Sequence, residues 1–103
     1  MQRSEKESHV GILSVASSDE SKKLKGRILD RAMDLLGKEI AYNLRKGDSF
    51  TKCSASQYIL LLPTANYENS CMVCERIIKA FNRKYPHSPV KIEYTVQGVQ
   101  AQI

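Results

Sequence analysis

Two stretches of this chain place apolar residues at three- and four-residue steps, and the segments around them do not. That switch of period constrains the fold more than any motif, because a 3.6-residue repeat suits one face of a helix and not a pleated strand. In the first stretch Ile28, Leu29, Ala32, Met33, Leu36, Ile40 and Leu44 share one side. Lys25, Arg31, Asp34, Lys38 and Glu39 fall mainly on the other. The spacing predicts a helix from about Leu24 to Leu44. Gly26 and Gly37 weaken it by about 1 kcal/mol each if they lie inside it. Gly47 suits a left-handed helix end, and Arg45 and Lys46 complement the negative end of the helix dipole. In the second stretch Asn66 is a favoured N-cap, Val73, Cys74, Ile77, Ile78 and Phe81 form the stripe, and the helix runs to about Tyr85. Pro86 and Pro89 bracket its exit.

The remaining segments read as strands. Val10 to Ala16 is short, apolar and rich in β-branched residues, as a buried central strand is. Ser49 to Cys53 and Gln57 to Leu62 stand at hairpin spacing about Ser54-Ala55-Ser56. The second of these is apolar from Tyr58 to Leu62, which predicts cover on both its faces. Val90 to Val99 alternates, with Val90, Ile92, Tyr94 and Val96 on one side and Lys91, Glu93, Thr95 and Gln97 on the other. The order is β-α-β-β-α-β. It predicts an α+β, ferredoxin-like domain, a four-stranded antiparallel sheet with two helices packed on one face.

A chain of 103 residues is long enough for one such domain and its core. Residues 1–9 are polar and read as a flexible lead-in, with a single domain over 10–100. No apolar segment follows Met1 to Ser8 as in a signal peptide, and the longest apolar run is too short to span a bilayer, so a cytoplasmic protein without membrane contact is expected. The net charge of +5 is spread over Lys22, Lys23, Lys25, Arg27, Arg31, Lys79, Arg83, Lys84 and Lys91, which suits solvated helix faces. Three cysteines do not make a disulfide framework. Cys71 and Cys74 form a C-x-x-C pair on one helix, read as small buried residues because no second ligand pair completes a zinc site. His9 and His87 are isolated and receive no role.

From Arg45 to Pro63 the residues become more specific than the fold. Arg45 and Asp48 form an R-x-x-D pair, five residues separate Asp48 from the turn, and Ser54-Ala55-Ser56-Gln57-Tyr58 precedes the strand Ile59 to Pro63. This segment resembles the diguanylate cyclase, or GGDEF, domain, with the Gly-Gly-Asp/Glu-Glu-Phe signature falling on Ser54 to Tyr58. Tyr58 keeps the aromatic, and Glu75-Arg76-Ile77 matches the family's next helix. The resemblance extends over about Val10 to Val99. A narrower one rests on Gly47-Asp48-Ser49-Phe50-Thr51, on the Ser54 to Tyr58 turn and on Leu61-Leu62-Pro63-Thr64-Ala65. These runs are similar to degenerate GGDEF-like modules of bacterial transcriptional activators that also carry a winged-helix DNA-binding domain and a helical-repeat activator domain.

The resemblance implies a nucleotide-cyclising site, and the residues present depart from it. Such a site holds metal ions with carboxylates, since magnesium takes hard oxygen ligands. Ser56 and Gln57 stand where the acids would be, Ser54 and Ala55 where paired glycines would admit the nucleotide, and Ser14 and Ala16 at the strand end that supplies another ligand. The expectation is a non-catalytic regulatory or interaction domain, with no cofactor or metal, whose partner is a neighbouring domain or a second copy. An alternative is a cyclic di-GMP sensor, because Arg45 and Asp48 match the family's product-binding pair and arginine suits bidentate recognition. A third is a nucleic-acid-binding module, since RNA-recognition motifs share the topology. They stack bases on aromatics of the two central strands, and here the first has none and the second only Tyr58. DNA contact is expected only through another domain.

Overall fold

A computed structural model describes residues 8–19, 23, 24 and 26–99. The order is β1 (Ser8–Ser17), α1 (Gly26–Asn43), β2 (Ser49–Ser54), β3 (Gln57–Leu62), α2 (Tyr67–Lys84) and β4 (Val90–Val99). The strands form one four-stranded sheet in the order β2-β3-β1-β4, each pair antiparallel. This is the ferredoxin-like arrangement that the order of elements predicts.

β1 is central, as expected, and begins at Ser8. Ser8 and His9 therefore belong to the strand rather than to the lead-in. His9 is buried, and its Nδ1 lies 2.7 Å from the carbonyl oxygen of Ala65. The strand's burial alternates, with His9, Gly11, Leu13 and Val15 inward. Leu13 pairs with Tyr58 on one side and Tyr94 on the other, which sets the inward rows of β3 and β4 in register with that of β1.

Both helices cover this inward face. Leu13, Val15, Met33, Leu36, Ile40, Leu60, Leu62, Cys74, Ile77 and Phe81 make the centre of the core. The expected cover on both faces of β3 is not found. Tyr58, Leu60 and Leu62 are buried, but Ile59 is half-buried and Leu61 is 47% exposed. An apolar run shows that a strand is hydrophobic and does not show how many layers cover it.

In α1, Ala32, Met33, Leu36 and Ile40 face the core as the period requires, while Ile28 is exposed. Glu39, expected outside, is buried and ion-paired to Lys84 of α2. The long lysine stem reaches across the helix pair and leaves its ammonium largely in water. That hydrogen bond to Glu39 raises the Lys84 pKa. Because α1 ends at Asn43, Arg45 and Lys46 lie beyond its last turn. Gly47, at φ +97°, does not cap the helix. It shapes the Arg45–Asp48 turn, closed by the Asp48 N–H donating to the Arg45 carbonyl at 3.0 Å. α2 starts as predicted, with the Asn66 side chain accepting from the Asn69 N–H at 2.7 Å.

Candidate functional site

The β2–β3 hairpin turn and the adjoining part of β1 form the first candidate site. Every described non-glycine residue keeps a negative φ, so Ala55 and Ser56 do not adopt the primed turns that suit a two-residue hairpin. A bulge between Lys52 and Ser54 takes up the mismatch. The Ser56 N–H donates to Ser54 Oγ at 3.2 Å, and the Ser56 carbonyl accepts from the Val15 N–H at 2.9 Å. Gln57 stands opposite Ser14 in the ladder, and its Nε2 donates to Ser14 Oγ at 3.0 Å. Gln57 and Ser14, two of the four positions where the resemblance expects ligands, are thus neighbours in space. They carry a neutral amide and a hydroxyl bonded to one another. Among the described residues, no group of three or more His, Cys, Asp or Glu side chains is placed to hold a metal ion.

Tyr58 ties this turn to α1. Its hydroxyl donates to the Met33 carbonyl at 2.8 Å, and Phe50 packs edge-on to its ring with centroids 5.7 Å apart. Burial, with the nearby Asp34 charge, raises the phenol pKa. Gly37 makes this insertion possible, because a Cβ there would lie 2.5 Å from the tyrosine oxygen. In sequence Gly37 reads only as a weak spot in a helix. Its packing role depends on a residue of a distant strand.

Arg45 and Asp48 lie at the other end of β3. The Asp48 carboxylate accepts from the backbone N–H of Arg45 at 3.1 Å, so part of its capacity already serves the turn. Both residues line a cleft of about 90 Å³ with Asn69, Met72 and Arg76. Arg76 also donates through Nη2 to the Asn43 carbonyl at 3.2 Å. The cleft adds one guanidinium that the R-x-x-D pattern alone does not reveal. It is too small to enclose a dinucleotide, since sites for small ligands usually measure about 300–1,000 Å³.

Cys71 and Cys74 lie one turn apart on α2. Cys74 is fully buried, which, with the Cys71 and Glu75 charges, pushes its thiol up to about 12. It packs so close to Gly11 that a Cβ there would come within 2.9 Å of its sulfur. A thiol held protonated is a poor nucleophile, so Cys74 acts here as a small core residue. His87 is exposed in the loop after α2. Two of the larger hollows escaped sequence reading because each joins elements distant in the chain. One, of about 530 Å³, lies between α1 and α2 and is lined by Ile28, Leu35, Phe81, Tyr85 and Pro86. The other, of about 610 Å³, runs between α2 and β4. No helix among the described residues is long and apolar enough to cross a membrane.

No protein-family profile matches the sequence, and no curated protein does either. Solved structures do match the fold. A diguanylate cyclase (DGC) protein from Thermotoga maritima superposes with a TM-score of 0.69 at 15% identity, covering 90% of this chain and 64% of its own. An EAL/GGDEF domain protein from M. capsulatus gives 0.69 at 14% identity, covering 94% and 66%. The active GGEEF domain of a diguanylate cyclase from Vibrio cholerae gives 0.66 at 11% identity, covering 90% and 64%. The chain therefore has a GGDEF-like fold and spans about two thirds of the length of these structures. At such identities the likeness is one of fold.

Proposed function

We propose that this chain is a non-catalytic regulatory or interaction domain on a GGDEF-like scaffold, part of a bacterial signalling protein or transcriptional regulator. The observation that carries this reading is the Gln57–Ser14 hydrogen bond. The fold brings these two positions together, and the groups it brings are an amide and a hydroxyl. Neither supplies the negative oxygen donors on which two-metal phosphoryl chemistry depends. A continuous buried core lies beside this turn, which supports a scaffold kept for a purpose other than cyclisation. Incubation with GTP and either magnesium or manganese is expected to give no cyclic di-GMP. Robust turnover would overturn the reading.

Cyclic di-GMP sensing is the second reading, favoured by the shared cleft of Arg45, Asp48 and Arg76. A dinucleotide would lie across the mouth of this cleft, with its phosphate between the guanidinium groups. Calorimetry with cyclic di-GMP tests it. Heat that disappears in Arg45→Ala supports sensing, and no heat at high micromolar ligand ends it.

A further inference from the structure

The sheet has two edges, and they differ. β2 is six residues long, broken by a bulge and exposed at every position but Phe50. Shortness and bulging are devices that blunt an edge. β4 runs ten residues in unbroken register with β1 and contains no proline. Its ladder fixes which backbone groups look outward. The Ser18 N–H donates to the Pro89 carbonyl at 2.9 Å. Every second pair from there directs its N–H and C=O groups between the strands, as Ala16–Lys91, Ser14–Glu93 and Ile12–Thr95 do. The amides of Val90, Ile92, Tyr94, Val96 and Gly98 therefore point away from β1, and no further strand of the described residues meets them. Beside this edge lies the groove of about 610 Å³ under α2, lined by Ile78, Ile92 and Tyr94 with Lys79 at its rim. The Tyr94 hydroxyl is anchored across it on Glu75 Oε2 at 2.6 Å.

We propose that β4 pairs antiparallel with β4 of a second copy about a two-fold axis, joining the two sheets into one. This deepens the reading of the chain as an interaction domain and rests on it. The strand is complementary to itself in the register centred on Tyr94. Ile92 then faces Val96 of the other copy, and the outward-facing amides of both strands meet. On the opposite side Lys91 meets Gln97 and Glu93 meets Thr95, so no like charges oppose one another. Centring on Glu93 sets two carboxylates face to face, and centring on Ile92 pairs only Val90 to Tyr94. Centring on Thr95 places Gly98 opposite Ile92 and wastes its apolar contact. In the Tyr94 register each Val96 side chain enters the groove of the other copy over Ile92. Main-chain pairing supplies affinity and the groove supplies register, as in other strand additions.

The test is sedimentation equilibrium of the full chain with two variants at exposed Thr95, which should leave the fold intact. Wild type is expected to form dimers at micromolar concentration. Thr95→Glu brings two like-charge pairs into each dimer and should weaken it about ten-fold, whereas Thr95→Lys should match or tighten it. Circular dichroism checks that both variants are folded. A chain that stays monomeric at about 1 mM, weaker than useful association, overturns the proposal. So does a dimer that responds equally to both variants, because another surface would then hold it. Neither outcome touches the non-catalytic reading, which the cyclase assay decides separately.

Discussion

Tyr58 and Leu61 stand on the same apolar strand and have opposite fates. The Tyr58 ring is enclosed by α1 and Phe50, and its one polar atom is matched to a helix carbonyl. Leu61 is 47% exposed on a face that no helix of the described residues covers. Val10, Ile12 and Ile59 share that face and are half-buried. The difference is one of tolerance. On the covered face each atom has a fixed neighbour, so small changes in volume are felt, whereas the open face is shaped mainly by neighbours within the sheet.

The comparison can be broken at several points. Leu60→Ala removes a fully buried side chain between the helices and the sheet, and an expected loss of about 3 kcal/mol follows from the cavity left behind. Urea denaturation measures it. A loss under about 1 kcal/mol would mean that the covered face repacks freely.

Alkaline pH should act on the same face. Burial raises the Cys74 thiol to about 12, well above the ordinary thiol range, and also lifts the Tyr58 phenol above its ordinary value. Above pH 9 the unfolded chain loses these protons before the folded chain does. The unfolded state then binds fewer protons, so stability falls as pH rises, with a slope of at most about 1.4 kcal/mol per pH unit for each group. Thermal melts from pH 8 to 11 should show this fall, and Cys74→Ala should flatten its first part.

Gly37→Ala is expected to cost about 1 kcal/mol net, the clash with the Tyr58 hydroxyl outweighing the gain in helix propensity. The sharper readout is the double-mutant cycle. In a Tyr58→Phe background the same change should be neutral or stabilising, because the clashing oxygen is gone. Additive effects would show that Gly37 and Tyr58 are not coupled. Smallest of all, Leu61→Thr should change stability by no more than about 0.5 kcal/mol. A larger loss in the isolated chain would mean that the open face is covered after all.

Much of the fold was legible because periodicity is local. The bounds of β3 and β4 follow from apolar and alternating patterns, and the start of α2 from Asn66, whose side chain reaches only three residues on. The turn before β2 was legible in composition but not in role. Gly47 was visible as a left-handed residue, yet where α1 stops decided whether it capped a helix or shaped a turn. At the candidate site, sequence could name Ser14, Ser54, Ala55, Ser56 and Gln57, but not the bond that joins two of them across the sheet.

The sequence by itself determined the element order and the face each helix turns inward, because both are written in spacings of a few residues. Only the tertiary structure decided that β3 is covered on one side and that Glu39 is buried against Lys84. It also decided that Gly37 yields to Tyr58, and that β4 is left as a long unbroken edge beside a groove. Each of these depends on which distant segments come within a few ångströms, and no local pattern encodes that distance.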